Sequence, residues 1–149
     1  MGPASELYIC SSRRHLYVAS GLARSSALHS HLLVIDQALD EPDAMVAALA
    51  SESSLFESVT VWAKRRGRSG LRREKADIET LIKQIGPQRV FCGNDRKLQF
   101  QYAVYFARKA GRKCRGIYMD DGTGTYESGI HLSFWRGFFD LSLIHISEP

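Results

Sequence analysis

The chain has 149 residues, 44% of them hydrophobic, and a formal net charge of +4. That is the length of one domain or of a piece of a larger protein, with enough apolar content for a core, and no apolar run approaches the roughly 20 residues of a spanning helix. The opening MGPASE is not the charged start and apolar stretch of a signal peptide, so a cytoplasmic, reducing setting is expected. Cys10, Cys92 and Cys114 are odd in number and widely spaced. Cys10 and Cys92 lie in apolar runs and read as small buried hydrophobes, not as a disulfide frame or zinc site.

In chain order, 6-ELYICS-11 reads as a buried strand, and 12-SRRHLYVASGLARS-25 as a helix with Leu16, Val18, Ala19, Leu22 and Ala23 on one face. A second strand is expected at 31-HLLVID-36, with His29 and His31 read as residues of the preceding loop. Pro42 and Asp43 open a helix whose apolar face is Met45, Val46, Leu49 and Ala50. The β-branched, aromatic run 56-FESVTVWA-63 is a third strand. After it comes 64-KRRGRSGLRREK-75, read as a basic loop leading into a helix over 73-REKADIETLIKQIG-86 that Gly86-Pro87 stops. A fourth strand is expected at 89-RVFCG-93, a helix over 97-KLQFQYAVYFARKAG-111, and a fifth strand at 114-CRGIYMD-120.

Strand and helix alternate throughout. The pattern predicts an α/β fold, a parallel sheet with helices on both faces. Ligands of such sheets bind beyond the C-terminal strand ends. That rule selects Ser11, Ser12 and Arg13 after the first strand, Asp36 after the second, Gly93, Asn94 and Asp95 after the fourth, and Asp120 and Asp121 after the fifth. No Gly-x-Gly-x-x-Gly follows the first strand and no Gly-Lys-Ser/Thr loop occurs, which argues against dinucleotide and P-loop sites.

The charge is local. Residues 64–75 hold seven basic side chains and one acidic, a net +6; the rest of the chain, with 13 basic and 15 acidic, carries a net −2. The run reads either as a solvated surface or as a contact for nucleic acid, anionic lipid or a polyanionic substrate. No aromatic residue interleaves within it, which weakens single-strand binding.

The stretch 118-YMDDGTGTY-126 concentrates the chemistry. Adjacent desolvated carboxylates at a strand end raise one another's pKa, which suits a general base. Gly122 and Gly124 permit a tight turn and close ligand approach, and Thr123, Thr125 and Tyr126 add hydroxyls. The same pair would suit Mg²⁺, and Asp-Gly is also an ordinary turn dipeptide.

The segment 117-IYMDDGTGTY-126 resembles the D/E-D/E-G motif of bacterial sialyltransferases, of the lipooligosaccharide sialyltransferase and polysialyltransferase-like families. Residues 7-LYICSSRRHLYVASGLA-23 are similar to their opening strand, polar turn and helix, and 90-VFCGNDRKLQFQYAVYFA-107 to the strand, Gly-Asn turn and helix before their acidic motif. The resemblance spans about residues 6 to 130, and only the acidic motif is specific. It implies the N-terminal, Rossmann-like, acceptor-side half of a GT-B glycosyltransferase, over residues 6–140. The implied reaction is inverting transfer of sialic acid from CMP-sialic acid to a glycan hydroxyl, with no essential metal and no cofactor. Asp121 would be the base and Asp120 its supporting neighbour. Ser11, Ser12, Arg13, Gly93, Asn94, Gly122 and Thr123 would line the acceptor side. The donor site and a His-Pro motif would belong to a C-terminal domain; no His precedes Pro in this chain. The partners implied are a glycan acceptor and a nucleotide-sugar donor. Peripheral contact of residues 64–75 with an anionic inner membrane is a further expectation, and no specific nucleic acid is expected.

Two other readings remain open: a stand-alone Mg²⁺-binding receiver-like or ligand-binding domain, which needs an aspartate such as Asp36 or Asp95 at another strand end, and a basic nucleic-acid module built on residues 64–75. The tail 141-LSLIHISEP-149 resembles a translated sequencing-adapter read-through; it is expected to be non-native, and His145 is kept out of any site. His15 is expected to be a partly buried structural histidine. Trp62 and the cluster Phe134, Trp135, Phe138 and Phe139 are expected in the core or an interdomain surface.

Overall fold

A computed structural model describes residues 2–37, 55–94 and 97–119. The elements are β1 (Ser5–Cys10), α1 (Arg13–Ser25), β2 (His29–Gln37), β3 (Ser58–Ala63), α2 (Gly67–Ile85), β4 (Arg89–Cys92), α3 (Leu98–Lys109) and β5 (Arg115–Tyr118). The five strands form one sheet in the order β3-β2-β1-β4-β5, and every pairing is parallel.

Period-two alternation sorts the core onto two faces. Leu7, Ile9, Leu33, Ile35, Val90 and Cys92 point toward α2 and α3, where Ile78, Ile82, Phe100, Ala103 and Ala107 meet them. Tyr8, Cys10, Leu32, Val34 and Phe91 point the other way, toward Leu16, Ala19 and Ala23 of α1. Tyr8 stacks on Phe91 at 4.5 Å and meets Phe56 edge-on at 6.0 Å. With both faces covered, β1 is buried at all six positions, whereas β3 at the sheet edge is at most half-buried. The fold is a Rossmann-like α/β sheet with helices on both faces. Among the described residues no helix is long and apolar enough to cross a membrane.

Three local expectations change. The basic run is mostly helix: α2 begins at Gly67, not near residue 73. Gly67 and Gly70 lower helix propensity there. Glu74, however, turns inward, is 6% exposed and accepts a hydrogen bond from Gln99 Nε2 at 2.8 Å, which ties this turn to α3. At its other end Gly86, at φ +61°, closes the helix with its N–H on the Ile82 carbonyl at 2.8 Å. His29 and His31 are not loop residues; they pair with Ser5 and Leu7 as the start of β2. Their polarity is satisfied laterally: His31 Nδ1 lies 2.7 Å from Ser58 Oγ, and His29 pairs with Glu57. Burial holds the His31 imidazole below its ordinary pKa, partly offset by Glu57. Third, His15 is buried at 6% exposure.

All three cysteines are buried free thiols. Burial pushes Cys114 up to about 11, against the opposing charge of Arg108. Trp62 packs half-buried against the α2/α3 core. The helix expected from Pro42, the aromatic cluster at residues 134–139 and the tail at 141–149 lie outside the described residues.

The N-terminal end of the sheet carries a polar cluster around a buried carboxylate. Glu6 is fully buried; its Oε1 accepts from the Tyr8 and Ser30 hydroxyls, each at 2.8 Å, and its Oε2 faces Arg89 Nε at 3.7 Å. Burial, then the bond to Glu6, pushes the Tyr8 phenol far above its ordinary range. One carboxylate thus ties β1 to both neighbouring strands.

Candidate functional site at the switch point

β1 and β4 lie side by side, yet the chain leaves them in opposite directions: through α1 to β2, and through α3 to β5. This reversal makes their C-terminal ends the topological switch point, the place where open α/β sheets bind ligands. Ser11, Ser12 and Arg13 follow β1, and Gly93 and Asn94 follow β4, so these five come from loops of adjacent strands. Ser12, Arg13 and Asn94 are exposed and Ser11 is half-buried.

Each loop has a physical reason for its shape. Ser12 is the N-cap of α1, its Oγ accepting from the His15 N–H at 3.3 Å. That turn brings His15 back over β1, where Nδ1 accepts from the Ser11 backbone N–H at 3.2 Å and lies 3.3 Å from Ser11 Oγ. With Nδ1 accepting, a neutral ring carries its proton on Nε2. The ring lies against Gly93: a Cβ there would come within 2.0 Å of His15 Cδ2 and 2.2 Å of Nε2. Only a residue without a side chain lets the imidazole sit on the β4 loop.

A second link crosses the same edge. Asp36, at the end of β2, has φ +60°, a left-handed backbone uncommon outside glycine. Its register with β3 shifts between Val34 and Gln37. The Asp36 carboxylate binds the ammonium of Lys97, the residue that precedes α3. The ion pair spans from β2 to the β4–α3 connection and passes the end of β1 between them.

Asp120, Asp121, Gly122 and Thr123 lie outside the described residues, as does Asp95. The strand that leads to the acidic pair is described: β5 pairs with β4, and the Met119 N–H donates to the Cys92 carbonyl at 2.7 Å. Asp120 follows Met119 directly in sequence. Among the described residues no group of three His, Cys, Asp or Glu side chains could hold a metal.

Sequence reading did not single out Lys97 and kept His15 out of the site. Lys97 is separated from Asp36 by 61 positions, and nothing local announces the pair. For His15 a signal existed: a serine cap puts the third residue of the helix beside the cap, next to the preceding strand end.

No family model matches the sequence, and no curated protein matches it. Among solved structures, the chain is similar to UDP-GlcNAc 2-epimerase from Methanocaldococcus jannaschii, with a TM-score of 0.53 over 85% of this chain at 11% identity. The chain spans 34% of that structure's length. Likeness at this identity shows the fold: the Rossmann-like sheet occurs within an enzyme named for its action on a nucleotide sugar.

Proposed function

We propose that this chain is the acceptor-side domain of a sialyltransferase-like glycosyltransferase of GT-B type. The observation that carries the reading is the topological switch point, where the serine turn after β1 lies beside the Gly-Asn turn after β4. The Asp-Asp-Gly motif follows one residue beyond Met119, which is bonded to β4. The solved neighbour adds that a sheet of this shape serves an enzyme acting on a nucleotide sugar.

In this reading Asp121 takes the proton from the acceptor hydroxyl as its oxygen attacks the anomeric carbon of the donor, and CMP leaves with the bonding electrons. Asp120 tunes that base. The Ser11 and Ser12 hydroxyls, Arg13 and the Asn94 amide orient the acceptor, with Gly122 and Thr123 beyond the base. His15, its Nδ1 engaged by Ser11, holds the first loop against the second. A second domain encoded downstream supplies the donor site.

Two measurements test this. The gene downstream should encode another α/β domain with a His-Pro pair; a stop codon soon after residue 149 overturns the proposal. In the protein carrying that domain, Asp121→Asn should lower transfer from CMP-sialic acid by about a hundredfold or more, on the scale of losing a general base. Near-normal turnover removes Asp121 from the role. The Mg²⁺-receiver reading asks for a lysine beside a strand-end aspartate, and the Lys97–Asp36 pair meets that one requirement; saturable Mg²⁺ binding that is lost in Asp36→Asn would favour it over the transfer reading.

A further inference from the structure

The basic run lies at the same edge of the sheet as the switch point, since it follows the C-terminal end of β3. β3 is two strands from β1, about 10 Å at ordinary strand spacing. Within the run the charges are not equivalent. Arg66, Ser69, Gly70, Arg73 and Asp77 recur at the three- and four-residue spacing of one helix face. Together with Arg65 they line a groove of about 730 Å³. Arg68, Arg72 and Lys75 belong to the same helix but do not line it.

The groove's acid is already engaged. Asp77 accepts from Arg65 Nη1 at 2.6 Å, and the Arg65 guanidinium lies 5.0 Å from the centre of the Trp62 ring. Glu74, the acid within the run, faces the core and bonds Gln99. Arg66 and Arg73 are exposed and form no ion pair with any described residue. Three arginines and one aspartate leave the groove at net +2. Gly70 lets Arg65 pack close against the helix, its missing Cβ lying 3.2 Å from Arg65 Cβ.

We infer that this groove is a phosphate-binding subsite, in which Arg66 and Arg73 grip a phosphate group from two sides and the Ser69 hydroxyl faces the same space. Paired guanidinium groups present parallel N–H donors that match phosphate oxygens. The phosphate could come from a soluble sugar phosphate or pyrophosphate, or from a lipid headgroup at a membrane surface. An interfacial helix also needs an apolar face to insert. The apolar residues Ile78 and Ile82 of α2 are buried in the core, while Leu71 is 44% exposed. The inference does not rest on the transfer reading, because it concerns binding and is measured without turnover.

The test titrates the protein with inorganic pyrophosphate by calorimetry and, separately, with sedimenting vesicles of phosphatidylglycerol. Two double variants are compared, Arg66→Gln/Arg73→Gln in the groove and Arg68→Gln/Arg72→Gln on the adjoining face. Each removes the same charge from α2 and its N-cap. Saturable pyrophosphate binding that weakens about tenfold or more in the groove variant, and less than about twofold in the control, supports a soluble phosphate ligand. Vesicle binding with that same selectivity, without pyrophosphate binding, assigns the phosphate to a lipid headgroup. Equal losses in both variants mean a diffuse basic surface and overturn the site. So does tighter binding to a short single-stranded oligonucleotide than to either phosphate probe, and so does no binding of either probe.

Discussion

The two ends of the sheet handle charge in opposite ways. At the N-terminal end Glu6 is fully buried, held by two hydroxyls and facing Arg89, and its contacts join β1, β2 and β4. At the C-terminal end Asp36 and Lys97 stay partly exposed, with side-chain exposures of 20% and 37%, and polar side chains around them face solvent. A carboxylate buried among partners on three strands stabilises the fold. One kept at the rim contributes less stability and leaves hydrogen-bonding capacity at the switch point. The contrast is between a carboxylate that joins three strands and one that stays at the rim.

The largest expected effect breaks the buried cluster. Glu6→Ala strands the Tyr8 and Ser30 hydroxyls beside Arg89 and should cost about 3 kcal/mol in urea unfolding, the scale of breaking a buried, hydrogen-bonded charge cluster. Lys97→Met at the open end should cost about 1 kcal/mol or less, and the difference should shrink in salt. Equal costs would erase the distinction between the two ends.

The next effect sharpens the open end. Gly93→Ala places a Cβ inside the His15 ring and should cost about 2 kcal/mol, as overpacking does. His15→Ala in the same chain should return most of that loss, because the clash is with the ring. A double-mutant cycle reads the coupling directly; purely additive losses would mean that the ring and Gly93 do not meet.

The smallest effect is a pH dependence at the edge of β2. The folded state holds His31 below its ordinary value of 6.5. The unfolded chain therefore takes up the proton first as pH falls, and stability drops between that value and the lower folded one. His31→Gln should flatten this part of the stability profile just below pH 6.5, and an unchanged slope would assign it to other groups.

Much of the architecture was legible because alternation is a strong signal. Leu7 against Tyr8, Leu33 against Val34 and Val90 against Phe91 each divide between the two core faces. The α2 start was hidden because Gly67 and Gly70 lower helix propensity across the basic run, so the apolar period becomes visible only from residue 73. His29 and His31 looked like loop residues because their partners, Glu57 and Ser58, come from beyond the next crossover. At the switch point, strand ends located Ser11, Ser12, Gly93 and Asn94. The serine cap locally announces His15 beside the first loop, whereas its Gly93 contact and the Lys97–Asp36 pair are long-range side-chain events.

The imidazole resting on a bare backbone has a consequence for inheritance. Positions 15 and 93 are not free to drift separately: in any descendant, a side chain at 93 is compatible only with a smaller residue at 15. Aligned homologues should therefore show the two columns changing together, although 78 positions separate them in the chain. That paired substitution pattern would record the contact in the genomes themselves.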